Sequence, residues 1–345
     1  MSVTPPGPRG RSTMRDVAAL AGVSFKTVSR VVNNESGVKP DLRAKVLDAI
    51  ERLDYRTNLA ASNLRRSGRT GMIGALVQDL SNSYSAALLR SIEDTARKHR
   101  TAVLAASLDE EREREHDLVH GFVTRRVDGL VIMPATDRQE YLASELRVGM
   151  PAVFVDRPPR GVDADSVTVD NLAGGRLATS HLLDHGHRRI AMLGDIPQIV
   201  TAHRRHLGYL DAYAARSLEP DPRLTVIGLR SSDDAQRAAR QLLELDDPPT
   251  AIFAARNLLS VGAFRALAEV GREREIALVG FDDFPLADLL SPGLTVVRQD
   301  VARIGTTVAE MLFARIDGDT SPPQHVVFEP SLVSRGSGEI RPSAR

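Results

Sequence analysis

From Gly71 onward, short apolar runs alternate with longer stretches of helical periodicity. Several runs are apolar throughout, which is typical of parallel strands buried on both faces. The predicted strands are residues 72–77, 102–106, 129–133, 152–155, 190–193, 226–229, 251–254 and 276–281, and the predicted helices include 85–98, 174–184, 233–245 and 258–270. This alternation predicts a doubly wound α/β fold, and roughly 270 residues suffice for two such sheets. The chain is expected to pass between them near residues 170–171 and 292–300.

The first 55 residues instead carry three short helical patterns, predicted at 14–21, 25–32 and 40–53. Thr13 with Asp16 forms a capping-box pattern, and Ser24 follows Gly22 as the cap of the second helix. The apolar residues at helical spacing are Val17, Ala18, Leu20, Ala21, Val28, Val31, Val32, Val46, Leu47, Ile50 and Leu53. Two helices joined by a Gly-Val-Ser turn and closed by a third predict a helix-turn-helix unit. Its second helix is of a size that fits the major groove of DNA.

The charge of the chain is unevenly distributed although its net charge is zero. Residues 1–69 carry 13 basic and 6 acidic residues, whereas the other 276 residues carry 32 basic and 39 acidic ones. A small basic head on a larger acidic body indicates that the head binds a polyanion. A basic surface without a partner is the alternative that charge alone leaves open.

The head resembles the DNA-binding domain of the LacI/GalR family of bacterial repressors. The resemblance covers TMRDVAALAGVSFKTVSRVVNNESGVKPDLRAKVLDAIERLDY, residues 13–55, and is most specific in DVA, AGVS and TVSRVVN. It implies that double-stranded operator DNA is a partner. The residues it assigns to bases are Phe25, Lys26 and Arg30, and those it assigns to phosphates are Thr27, Ser29 and Asn33. The alternative is that these are solvated helix residues, with a packing role for Phe25.

Residues 58–66, NLAASNLRR, form a possible fourth helix with Asn58 as its cap. Nine residues are too few for a stable isolated helix, which needs roughly 12–15, so this segment is expected to fold on a partner. It resembles the hinge helix of the family, which implies that Leu64 is wedged between base pairs in the minor groove. Thr57 stands where the family commonly has proline. An ordinary core role for Leu64 is the alternative.

The acidic body resembles the family's effector domain, which is similar to periplasmic sugar-binding proteins and has two α/β lobes around a cleft. The matching pieces are RRVDGLVIMPA, PAVFVDRP, VDNLAGGRLATSHLLDHGHRRIAMLG, LVGFDD and LTVVRQD. The resemblance spans about residues 13–335. The expected organisation is a disordered arm (1–12), a helix-turn-helix domain (13–57), a hinge helix and linker (58–70), a two-lobed effector and dimerisation domain (71–335) and a tail (336–345). A homodimer is the expected state, because no leucine-heptad tail follows.

Ligands of open α/β sheets bind beyond the carboxyl ends of the strands, in the crevice between lobes. The residues predicted to bind the effector are Tyr84, Ser85, Arg157, Thr201, Arg205, Arg230, Arg256 and Asp282. A carboxylate with guanidinium groups suits a polyhydroxylated ligand, since each group can engage adjacent hydroxyls. Arg256 stands where the family commonly has Asn, and Arg230 where it often has an aromatic or apolar residue. These extra arginines suggest an effector with a carboxylate or phosphate, unless they neutralise Asp282, Asp283 or Asp195.

Two other classes of protein are alternatives to a regulator. An enzyme lacks support, because no dinucleotide fingerprint, phosphate-binding loop or nucleophile-elbow serine occurs in the context that it needs. A stand-alone sugar-binding protein would need export, but no secretory signal is recognised, and the basic head would be unexplained. No cofactor or metal is expected, although His181, His185 and His187 have ligand-like spacing. The sequence has no cysteine and no long apolar run, so a cytoplasmic protein without membrane contact is expected. The pattern therefore predicts a cytoplasmic, effector-controlled transcriptional repressor.

Overall fold

The computed structural model describes residues 12–33, 35–55 and 69–343. The chain separates into two compact units, Met1–Thr70 and Gly71–Arg345. Each unit has its own apolar core.

The first unit contains helices α1 (Met14–Ala21), α2 (Phe25–Val32) and α3 (Pro40–Arg52). The capping box at α1 is formed: the Thr13 hydroxyl accepts from the backbone N–H of Asp16 at 3.3 Å, and the Asp16 carboxylate accepts from the backbone N–H of Thr13 at 2.8 Å. Gly22 ends α1 with a φ of 64°, a left-handed conformation that favours glycine. The fully buried core residues are Val17, Val28, Val31, Val46 and Ala49. The predicted helix-turn-helix unit is confirmed.

Two leucines expected in this core lie on the surface instead. Leu20 is 42% exposed and Leu47 is 53% exposed. Leu47 directly follows the buried Val46, and one residue turns an α-helix by about 100°, so Leu47 leaves the face that Val46 and Ala49 share. Helical spacing identifies the apolar residues of each helix, but it does not determine which of them lie on the face that packs into the core.

The second unit holds two six-stranded sheets. Its strands are β1 (Met72–Val77), β2 (Ala102–Ser107), β3 (Leu130–Ile132), β4 (Ala152–Val155), β5 (Asp165–Val169), β6 (Ile190–Leu193), β7 (Thr225–Val226), β8 (Ala251–Ala254), β9 (Ala277–Phe281), β10 (Thr295–Arg298), β11 (His325–Phe328) and β12 (Ser331–Val333). The first lobe has the order β11-β5-β4-β3-β1-β2 and the second has β12-β10-β9-β8-β6-β7. Every pairing is parallel except that of β10 with β12. The two lobes therefore repeat one topology.

Helices cover the faces of these sheets. They are α4 (Ser83–Lys98), α5 (Arg112–Thr124), α6 (Ala143–Arg147), α7 (Asn171–Asp184), α8 (Val200–Ala214), α9 (Ser232–Leu243), α10 (Asn257–Glu269) and α11 (Val301–Ile316), with short 3₁₀ turns at Glu140–Leu142 and Pro222–Leu224. The doubly wound fold and the predicted helices are confirmed to within a few residues at each end. The strand predicted at 226–229 is wrong in position, because Gly228 takes a φ of 87° and the strand ends at Val226.

The chain crosses between the lobes three times. It passes to the second lobe after β5 at Asp170, returns between β10 and α11 at Gln299 and Asp300, and leaves again between β11 and β12. The first two crossings lie where the sequence predicts them. The third was missed, because β11 and β12 are short edge strands whose pairing depends on distant residues.

Part of the segment expected to be a tail packs on the second lobe. Ser337 is 1% exposed, and its hydroxyl donates to the carbonyl of Leu278 at 2.6 Å. The buried ring of His187 contacts the carbonyl of Ile340 through Nε2 at 2.8 Å. The second lobe thus extends at least to residue 340.

Candidate effector cleft and nucleic-acid interface

A cleft lies between the two lobes at the carboxyl ends of their strands. Residues of both lobes line it, since β1, β2 and β4 lead into one wall and β6, β8 and β9 into the other. We call this cavity the inner cleft. It is lined by Gln78, Asn82, Tyr84, Ser85, Glu110, Met133, Asp156, Arg157, Asp195, Ile199, Thr201, Ala202, Arg205, Arg256, Asn257, Asp282 and Gln299. Seven of the eight residues predicted to bind the effector are among them. The exception is Arg230, which lines an adjoining cavity.

Arg205 is the most enclosed cation of the inner cleft. Its side chain, only 8% exposed, donates from Nε to Asn171 Oδ1 at 2.7 Å and from Nη1 to the carbonyl of Ala255 at 2.8 Å. Its Nη1 lies 3.6 Å from Asp282 Oδ2, and the guanidinium carbon is 3.7 Å from the centre of the Phe281 ring. These contacts fix the plane of the guanidinium group, so Arg205 can present its remaining donors in one direction.

The other two arginines of the inner cleft also have carboxylate partners. Arg157 donates to both oxygens of Glu110, one of them at 2.8 Å, and to the carbonyl of Pro134 at 2.8 Å. Arg256 donates to Asp195 Oδ2 at 2.7 Å. Four carboxyl groups and three guanidinium groups line the cleft: Glu110, Asp156, Asp195 and Asp282 against Arg157, Arg205 and Arg256. The inner cleft therefore has no excess of positive charge, as the neutralisation alternative requires. Asp283, also part of that alternative, is held from outside the cleft by two hydrogen bonds from Arg335 at 2.8 and 2.7 Å.

Asp156 and Asp282 occupy equivalent places in the two lobes. Asp156 directly follows β4 and Asp282 directly follows β9, which is the corresponding strand of the second sheet. Both have left-handed backbones, with φ of 70° and 68°. For non-glycine residues this conformation costs roughly 1–3 kcal/mol and is concentrated at binding and catalytic sites. Burial raises the pKa of Asp156, and the nearby Arg157 and Arg205 oppose that rise.

Amide side chains join the lobes at the floor of the inner cleft. Asn82, which precedes α4, and Asn257, which begins α10, exchange hydrogen bonds through their Nδ2 and Oδ1 atoms at 3.2 and 3.0 Å. Both are nearly buried, at 9% and 4% exposure. Gln299, at a crossing between lobes, donates to Asp282 Oδ1 at 2.5 Å, and the Tyr84 hydroxyl lies 3.4 Å from its Oε1. The two walls are thus linked by the neutral hydrogen bonds between Asn82 and Asn257, while Gln299 donates to the carboxylate of Asp282.

Helix α2 of the first unit and the residue after it carry six predicted DNA contacts, of which three are exposed. Phe25 is 54% exposed, which removes the packing alternative for it, and Lys26 and Arg30 are exposed as well. Arg30 lies beside Glu35, with 3.5 Å between Nε and Oε2, and both side chains are about half exposed. Thr27, Ser29 and Asn33 are partly buried. The predicted hinge contacts Asn58 and Leu64 lie outside the described residues.

Comparisons with known proteins address both units. Residues 13–58 match the family described as bacterial regulatory proteins, lacI family, and residues 179–338 match a periplasmic binding protein-like domain. The ribose operon repressor of Escherichia coli is 32% identical over 94% of this chain and 99% of its own length. The chain belongs to the LacI family of bacterial transcriptional regulators.

One further relative and two solved structures cover nearly all of this LacI-family chain. The transcriptional regulator CelR of Thermobifida fusca is 34% identical over 96% of this chain and 99% of its own. The lac repressor dimer bound to operator and an anti-inducer superposes with a TM-score of 0.82, at 29% identity, and covers 95% of this chain and 99% of that one. A CelR–cellobiose complex has a TM-score of 0.69, at 32% identity, and covers 95% and 100%. The relatives are transcriptional regulators and not enzymes.

Seven further polar residues line the LacI-family cleft. They are Gln78, Asn82, Glu110, Asp156, Asp195, Asn257 and Gln299. The sequence places Asn82, Asp156 and Asn257 in loops at the cleft and offers Asp195 as a counter-charge, but it assigns none of the seven to the effector. Most of them follow a strand directly or within a few residues, so their position after a strand was an available signal. The hydrogen-bond and ion-pair partners of most of these residues had no such signal, because each contact joins residues distant in the chain. In the described structure the buried Gln78 Nε2 has no hydrogen-bond partner, and Arg157 Nε lies 3.5 Å from Asp156 Oδ2.

Two of the three histidines with ligand-like spacing, His181 and His187, contact other residues of this chain. His187 is fully buried between the Thr250 hydroxyl, 2.9 Å from Nδ1, and the carbonyl of Ile340. His181 Nε2 lies 2.9 Å from Glu339 Oε1. Within the described ranges, no group of three or more His, Asp or Glu side chains is arranged to hold a metal ion. In the same ranges, no helix has the length and apolar character needed to cross a membrane.

Proposed function

We propose that this chain is an effector-controlled transcriptional repressor that binds operator DNA as a homodimer in the bacterial cytoplasm. The observation that carries the proposal is the exposure of Phe25, Lys26 and Arg30 along one short helix of a helix-turn-helix unit that matches the lacI family. A dimer places two such helices one turn of DNA apart on a pseudo-palindromic site. The lac repressor relative is a dimer bound to operator, which supports this arrangement. By resemblance, Asn58 and Leu64 contribute minor-groove contacts.

The inner cleft supports a neutral, polyhydroxylated group of the effector. Its three arginines are neutralised by carboxylates, which accept hydrogen bonds from sugar hydroxyls while the guanidinium groups donate to them. The ribose operon repressor and the CelR–cellobiose complex are relatives whose names indicate sugars.

The test of DNA binding is selection from a pool of random-sequence duplexes by the full-length protein. We expect a pseudo-palindromic sequence to be enriched, and neutral sugars that bind the protein to change its affinity for that sequence. The variant K26A/R30A should bind the selected duplex at least tenfold more weakly, because each base-reading side chain contributes roughly 1–3 kcal/mol of discrimination.

The matched control is R97Q/R147Q, which removes two exposed arginines of the second unit. Its affinity for the selected duplex should equal that of the wild type. Enrichment of no sequence by the wild-type protein, or equal binding by K26A/R30A, would contradict the proposal.

A further inference from the structure

A second cavity of about 240 Å³ adjoins the inner cleft. We call it the outer chamber. The first lobe contributes residues 110, 134–137, 157, 158 and 160, and the second lobe contributes 196, 198–200 and 230. The two cavities share Glu110, Arg157 and Ile199, so the Arg157–Glu110 ion pair lies between them. A ligand too large for the inner cleft would extend into the outer chamber past this pair.

The outer chamber differs from the inner cleft in its charge. Arg160 and Arg230 line it from opposite lobes, and both are exposed. In the described part of the chain, neither guanidinium group has a carboxylate within 4.0 Å. The chamber therefore holds two cations that are not neutralised by an ion pair.

The nearby carboxylates are engaged by other groups. Glu110 is held by Arg157, and Asp137 lies 3.6 Å from Arg112. Asp234 accepts from the backbone N–H of Arg230 at 3.1 Å, but its carboxylate pairs with Arg237. These contacts leave the positive charge at Arg160 and Arg230 available to a ligand.

The wall that carries Arg160 is well supported. Glu115 is fully buried and accepts from the backbone N–H groups of Ala135 at 2.5 Å and Thr136 at 2.9 Å. Gln139, which is 1% exposed, accepts from the backbone N–H of Arg160 at 2.7 Å. The backbone around the outer chamber is thus held in place by buried hydrogen bonds.

Helix α8 begins at this chamber. Ile199 is the N-cap residue of α8, and no side chain accepts a hydrogen bond from the first backbone N–H groups of the helix. This end of the helix therefore favours negative charge. This adds to the field of the two arginines. A phosphate or carboxylate group complements this positive charge, because arginine binds such groups through paired N–H donors.

We propose that the outer chamber binds an anionic group, phosphate or carboxylate, carried by the same effector whose neutral part occupies the inner cleft. The inference rests on the proposed function for that neutral part. Of the arginines from which the sequence predicts an anionic contact, it keeps Arg230, sets aside Arg205 and Arg256, which are neutralised, and adds Arg160.

Chemical labelling of arginine with phenylglyoxal, mapped by mass spectrometry on the full-length protein without DNA, tests this site. We expect inorganic phosphate to slow the labelling of Arg160 and Arg230 and to leave the exposed Arg147 and Arg240 unchanged. Equal effects at all four positions, or none at Arg160 and Arg230, would overturn the proposal. Since neither DNA nor a neutral sugar is present, this result is independent of the test of repressor function.

Calorimetry with glucose, glucose 6-phosphate and inorganic phosphate identifies the source of the anionic group. R160Q/R230Q should bind inorganic phosphate at least tenfold more weakly than the control R147Q/R240Q, and equal affinities would contradict the site. Glucose 6-phosphate should bind more tightly than both glucose and inorganic phosphate if the group belongs to the effector. Binding of inorganic phosphate as tight as that of the sugar phosphate would instead make the ligand a separate anion and overturn that assignment.

Discussion

At the scale of single residues, burial decides what a polar side chain can do. Arg205 and Arg256 sit among carboxylates that neutralise them, so they orient a ligand without adding net charge. His187 shows the same principle in a titratable group. Its ring is fully buried, and this burial lowers its pKa in spite of a hydrogen bond to the carbonyl of Ile340. The folded protein therefore favours neutral His187 at pH values where the unfolded chain is already protonated.

This preference predicts a pH dependence of stability. Below about pH 6.5 the unfolded chain gains a proton that folded His187 resists, so the free energy of unfolding should fall with pH by up to about 1.4 kcal/mol per unit. H187Q keeps an amide that can contact Thr250 and Ile340 but cannot titrate. Its melting temperature should fall less than that of the wild type between pH 7.5 and pH 5.5. H203Q, which removes an exposed histidine, is the control and should follow the wild type. Parallel curves for H187Q and the wild type would refute the assignment.

At the scale of elements, helices α7 and α8 position Arg205 through a contact that only glycine allows. A Cβ atom on Gly175 would lie 2.2 Å from the backbone oxygen of Arg205, and one on Gly208 would lie 2.2 Å from that of Leu172. Neither backbone can yield without separating the helices. G208A should therefore destabilise the protein by about 1–3 kcal/mol, measured by urea unfolding. G121A is the control, because in α5 a Cβ meets only the flexible side chain of Arg125. That variant should be up to about 1 kcal/mol more stable than the wild type, and equal stabilities for G208A and the wild type would show that the helices can move apart.

The same pair of helices marks what the sequence can and cannot predict. Periodicity places α7 within three residues of its true start, but it reads Gly174 and Gly175 as weak helix formers, although Gly175 is required by a neighbour 30 positions away. Most of the inner cleft can be predicted once the strands are predicted, because ligands of open α/β sheets bind beyond the carboxyl ends of the strands. Asp195 was foreseen as one of three possible counter-charges, but the partner Glu110 and the displacement of Arg230 to the outer chamber depend on contacts between distant segments that a local pattern does not contain.

At the scale of the whole effector unit, two lobes joined by three crossings need a contact that fixes their separation. The mutual hydrogen bonds of Asn82 and Asn257 are suited to this role, because each amide both donates and accepts across the cleft. Asn82 also caps α4 by accepting from the backbone N–H of Tyr84 at 3.0 Å. Loss of either amide should therefore destabilise both lobes, at the start of α4 and at the start of α10.

The variant N257A tests this coupling. It leaves a buried amide without its partner, which costs about 1–3 kcal/mol, so the arrangement of the lobes in which these amides meet should become less populated. Hydrogen exchange should accelerate at residues 82–86 and 258–261 together, and a neutral sugar that binds the wild type should bind more weakly. S83A removes only the hydroxyl that lies 3.2 Å from Asn257 Nδ2, so it should change exchange much less. Acceleration confined to residues 258–261 would mean that Asn257 stabilises its own helix and does not hold the lobes together. Acceleration in both lobes would instead identify the contact through which ligand binding in the cleft is coupled to the separation of the lobes.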